Sequence, residues 1–134
     1  MIRNNIKPQT LLSTLWIFIL FNMIFRDLHE MLAEGYFEEL MSLQISEGTM
    51  LLYGFILEIP IMMVLLSRIL NNRANKWANQ IAAGVSLLGL LSTLATADLD
   101  DLFFATVNSV ALLVIIRIAW KLPMEEDRLE PIGH

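Results

Sequence analysis

Four apolar blocks, each about as long as a bilayer is thick, leave this sequence few folds to choose from. They cover residues 10–28, 49–70, 77–97 and 102–121. At 1.5 Å per helical residue, about 20 residues cross a hydrocarbon layer of about 30 Å. Backbone N–H and C=O groups in lipid must be satisfied within their own segment, so each block is predicted to be a helix. The expected fold class is all-α: an integral membrane four-helix bundle, one domain over residues 1–134, ending in a polar tail at 122–134.

Composition agrees. Hydrophobic residues make up 56% and charged residues 17%, against about 25% charged in a soluble domain. The chain has no cysteine, which removes disulfides, thiolate metal ligands and Cys-based redox chemistry. The net charge is −5, and no basic run is long enough to bind nucleic acid.

Arg3 and Lys7 precede the first block, as they would in a secretory signal. No small-x-small cleavage site follows Phe25; Arg26, Asp27 and His29 come instead. The block is therefore expected to stay as the first span. Eight of the nine basic residues fall on one side of the membrane: Arg3, Lys7, Arg68, Arg73, Lys76, Arg117, Lys121 and Arg128. Only Arg26 lies on the other. By the positive-inside rule, both termini are expected in the cytoplasm and the protein in the cell membrane. Trp77 and Trp120 lie at that inner boundary, the depth an amphipathic indole prefers.

The outer segments are acidic, with Asp27, Glu30, Glu34, Glu38, Glu39 and Glu47 in the first and Asp98, Asp100 and Asp101 in the second. Ordinary solvated loop charge accounts for them; a cation-attracting mouth is the functional alternative. Leu32, Tyr36 or Phe37, Leu40 and Leu43 recur at helical spacing. That pattern predicts a short amphipathic interfacial helix between helices 1 and 2, broken from the first span near Gly35. It would be a lid or a cover over the bundle ends.

Glu58 stands out because it lies near the bilayer centre. A carboxylate there costs roughly 2.5–3.5 kcal/mol on insertion scales, so it is expected to face the bundle and find a partner. Gly54, one turn earlier, would admit a neighbouring helix, and Pro60 would kink the helix beside it. Asn22, Arg26 and His29 share a face of the first span; Gly89, Ser92, Thr93 and Thr96 one of the third; Ala105, Asn108, Ser109 and Leu112 one of the fourth. If these stripes converge, Asn22, Thr93 and Asn108 wall an outward-biased pocket floored by Glu58. Packing alone also explains them, since small and hydroxylated residues are ordinary glue between membrane helices. Ala82, Ser86 and Gly89 fit that packing role. Arg117 lies out of phase with Asn108 near the inner boundary, where snorkelling to the surface explains it.

His29 and His134 do not make a metal site. No Gly-rich phosphate loop, Ser–His–Asp set or metal-spaced motif is present. No catalytic residue, metal or cofactor is therefore expected.

The segments LSTLWIFILFNMIFRD (12–27), LEIPIMMVLLSRIL (57–70), NRANKWANQIAAG (72–84) and LFFATVNSVALLVIIRIAWKLP (102–123) resemble a family of small uncharacterised prokaryotic four-helix membrane proteins, classed as a domain of unknown function. Leu57–Pro60 and Arg73–Asn79 are the most specific parts of the likeness. A looser similarity, of architecture only, is to DoxX-like membrane proteins. The resemblance implies fold and location, and no activity. The expected function is binding of a small molecule, or relay of a proton, around Glu58. One alternative is a non-catalytic membrane subunit or assembly protein; another is a membrane enzyme acting on lipid or quinone. The lipid bilayer is the expected partner, with a homo-oligomer or a second membrane protein beside it.

Overall fold

The computed structural model describes residues 6–123, and polar side chains cap the starts of three of its five α-helices. Helix α1 (Pro8–Glu30) carries Pro8 in its first turn, where the missing N–H has no helical partner to lose. Gly35 adopts φ 82°, a left-handed conformation that costs glycine little, and introduces the short α2 (Tyr36–Ser42). The Ser46 hydroxyl accepts from the Thr49 N–H at 3.2 Å and starts α3 (Glu47–Ile69). The Asn71 side chain accepts from the Ala74 N–H at 2.9 Å and starts α4 (Asn72–Ser92). A 3-10 turn (Leu94–Thr96) leads into α5 (Leu99–Trp120), where the Asp101 carboxylate accepts from the Asp98 N–H at 3.4 Å.

The four long helices are each long and apolar enough to cross a membrane. The short α2 lies between the first two, where the sequence pattern places an interfacial helix, and buries none of its residues. Helix α1 packs on α3 and α5, and α4 packs on the same two. Thus α1 stands diagonally opposite α4. The outward faces are lined with Phe18, Phe21, Phe55, Ile81, Leu88 and Phe103, all exposed. Hydrocarbon solvates such a surface and water does not.

Burial is unequal along the bundle. At the end carrying Lys7, Arg68, Arg73, Lys76 and Lys121, the basic end, Leu12, Trp16, Met63, Ile115, Ala119 and Leu122 form a closed core. Toward the opposite, acidic end, α1 has no buried residue after Ile19, α3 none before Pro60, and α4 none after Ala83.

Helix α4 begins at Asn72, five residues before the apolar run at Trp77. Hydropathy places a boundary where polar residues begin, yet Asn72, Asn75 and Asn79 turn into the bundle and are buried. Asn75 and Asn79 form a connected network, and Asn72 makes a separate bond to α1. Trp16 Nε1 donates to Asn79 Oδ1 at 2.7 Å, and Asn79 Nδ2 donates to Asn75 Oδ1 at 2.8 Å. Asn75 Nδ2 in turn donates to the Ser67 carbonyl at 2.8 Å, and Gln9 Nε2 to Asn72 Oδ1 at 2.6 Å. Among the described residues no fully buried side-chain N or O atom lacks a partner. Helix α3 runs on through Pro60 to Ile69. The tail from residue 124 onward, including His134, and Arg3 lie outside the described residues.

Candidate functional site

The loosely packed acidic half holds a cavity of about 210 Å3 to which all four long helices contribute. Ile19, Met23 and Arg26 come from α1, and Ile56 and Pro60 from α3. Ser86, Gly89 and Leu90 come from α4, with Thr93 at its end. Asp101, Phe104, Asn108 and Leu112 come from α5. The walls are mainly apolar, and the polar groups gather at two places.

The first is Asn108, only 7% exposed. Its Oδ1 accepts from Asn22 Nδ2 at 2.9 Å, and Asn22 Nδ2 also reaches the Phe104 carbonyl at 3.4 Å. That bond fixes the amide and leaves Asn108 Nδ2 with no protein acceptor among the described residues, on a side chain that lines the cavity. The second is the ion pair at the mouth. Arg26 Nε and Nη2 both donate to Asp101 Oδ1, at 3.1 and 2.7 Å. Beside it His29 Nε2 lies 3.3 Å from Asp100.

The α1 face carrying Asn22, Arg26 and His29 therefore does meet α5. Thr93 and Asn108 are walls of the cavity, as the sequence pattern suggests, while Asn22 holds Asn108 from behind. The Thr93 hydroxyl donates to the Leu90 carbonyl at 2.8 Å, capping its own helix.

Glu58 corrects the expected floor of the pocket. Its side chain is exposed on the outward face of α3. Ile56 and Pro60, four residues apart, share the inward face, and a residue midway between them is turned about 200° away. Pro60, Asn108 and Leu112 line the cavity in its place. Gly89 and Ser86 also change role: they line the cavity, and a Cβ on Gly89 would meet nothing within 4 Å. Ala82 alone of that trio is buried in the core. Arg117 is exposed near the basic end, as expected.

Glu30, Asp100 and Asp101 bring carboxylate oxygens within 4.8 Å of one another, a spacing a cation could use. The Arg26 guanidinium already supplies positive charge against Asp101, and the His29 imidazole contacts Asp100. A wider hollow of about 540 Å3 opens at the basic end between Lys7, Gln9, Arg68 and Asn72. It lies away from Asn108 and the Arg26–Asp101 pair. The asparagine triplet that closes the basic end escaped the sequence reading. Its signal was present: Asn72, Asn75 and Asn79 at i, i+3 and i+7 mark one helical face.

Among known families, a model described as "Family of unknown function (DUF6326)" matches residues 2–127. No curated protein and no solved structure matches the chain, so the looser likeness to DoxX-like proteins gains no support.

Proposed function

The chain belongs to this DUF6326 family, and from that premise we propose that it is a small polytopic membrane protein that binds an amphiphilic small molecule in the acidic half of its bundle. The observation that carries the reading is Asn108. It is more than nine-tenths buried and held by Asn22, with an amide N–H pair left over for an acceptor in the cavity. That N–H pair is open to the cavity, so a ligand carbonyl, ether or carboxylate oxygen can accept from it there. The apolar body of the ligand rests on Ile19, Met23, Ile56 and Leu112. Because Asp101 already neutralises Arg26, the ligand need carry no charge. At about 210 Å3 the site is smaller than the 300–1,000 Å3 typical of drug-sized ligands, which selects a compact molecule.

The proton-relay reading loses its group, because Glu58 stands outside the cavity. The basic end is proposed to face the cytoplasm of a cell membrane, on the strength of Lys7, Arg68, Arg73, Lys76 and Lys121 gathered there.

The test compares wild-type protein with Asn108→Leu, both purified in mild detergent from native membranes and extracted for bound small molecules. A compound enriched on the wild type and reduced at least tenfold on Asn108→Leu supports the site. Identical extracts from two equally folded proteins overturn it.

A further inference from the structure

The structure points to a contact between two copies of this chain, and we propose that it is centred on Glu58. Glu58 is the middle residue of α3 (Glu47–Ile69), about 16 Å from either helix end. Its side chain is far too short to reach water from that depth. It faces outward, and no ion pair or hydrogen bond reaches it among the described residues. Among the described residues nothing within one copy offsets the cost of a carboxyl in hydrocarbon.

The residues around it form a seam. Leu51, Gly54, Glu58, Ile61 and Leu65 follow one another at intervals of 3, 4, 3 and 4, and all five are exposed. That is the heptad spacing of a helix that packs along its length against a parallel partner. The inward residues Ile56, Pro60, Met63 and Ser67 form a separate stripe, so the bundle does not use this seam. A Cβ on Gly54 would meet nothing within 4 Å, leaving room for a second backbone to approach.

A second copy is the occupant that fits. Described Lys and Arg residues all lie near the helix ends, so none could meet Glu58 at mid-membrane. A carboxyl group both donates and accepts. Two copies inserted in the same direction, related by a two-fold axis along the membrane normal, bring Glu58 against its own counterpart at equal depth. The two side chains then meet each other in place of hydrocarbon, and the lone polar position fixes the register of the seam. The cavity beside Asn108 is not part of this interface.

The cysteine-free sequence allows a direct test. Leu51→Cys and Ile61→Cys, each retaining Glu58, are oxidised in native membranes. Ile81→Cys and Val110→Cys on the lipid faces of α4 and α5 serve as controls. Disulfide-linked dimers from the first pair and not the second are expected. In lipid nanodiscs, Glu58→Gln, which keeps a donor and an acceptor, should remain dimeric. Glu58→Leu should dimerise on the order of tenfold more weakly, the weight of one interhelical hydrogen bond in model peptides. Cross-linking equal at all four positions, cross-links to a different protein only, or a dimer unchanged by Glu58→Leu overturns the proposal.

Discussion

The Trp16 indole N–H donates to Asn79 Oδ1 at 2.7 Å across the diagonal of the bundle, tying α1 to α4. Both residues are fully buried, and the same oxygen accepts a longer contact from Ser67 Oγ at 3.4 Å. Asn79 thus connects three of the four spanning helices, and the Asn75 carboxamide extends the chain of bonds to the α3–α4 turn.

Trp16→Phe should lower unfolding stability by about 1–2 kcal/mol, since it removes a buried donor and leaves ring volume unfilled. The double variant Trp16→Phe with Asn79→Ala should fall short of the sum of the single effects by about 1 kcal/mol. A double-mutant cycle by denaturant titration in mild detergent measures the coupling; strict additivity would contradict the bond's contribution.

Gly89→Ala should stabilise the protein by about 0.5–1 kcal/mol. It removes the entropic cost of glycine inside α4, and the new methyl enters open space instead of a neighbouring helix. A tight helix–helix contact at Gly89 would give the opposite sign, which thermal unfolding of the single variant would show at once.

Removing Arg26 leaves Glu30, Asp100 and Asp101 clustered without their nearest guanidinium. The pair is partly exposed at 39% and 19% of the side chains, so Arg26→Gln is expected to cost only about 1 kcal/mol. Adding Asp101→Asn should restore part of that loss, and raised ionic strength should narrow the gap between the variants. Unfolding at low and high salt checks both statements.

Gly35→Ala forces a side chain into the left-handed region at φ 82°, a strain of about 1 kcal/mol. Because α2 buries nothing, the strain should remain local. Amide exchange should speed up across residues 31–45, while the melting temperature moves little.

Much of the architecture was legible because a 20-residue apolar run in lipid has a single backbone solution. The face of α1 with Asn22, Arg26 and His29 could be read because polar residues at 4- and 3-residue steps mark one side of a helix. Glu58 was misplaced because a span carries apolar residues on both its faces. Leu51 and Phe55 on the outward face look the same in sequence as Met63 toward the core, so the phase of α3 could not be read from hydropathy. The inward stripe of Ile56, Pro60, Met63 and Ser67 reveals it in the folded bundle. The start of α4 was missed for the converse reason: Asn72, Asn75 and Asn79 are polar yet buried, and hydropathy counts them as loop.

The buried core and the asparagine network both sit at the basic end, whereas the cavity lies in the other half. If the cavity holds a ligand as proposed, substitutions among Ile56, Ser86 and Thr93 would reshape that site without touching the buried core. In a scaffold divided in this way, the half proposed to hold a ligand is free to vary while the half that carries the core stays unchanged.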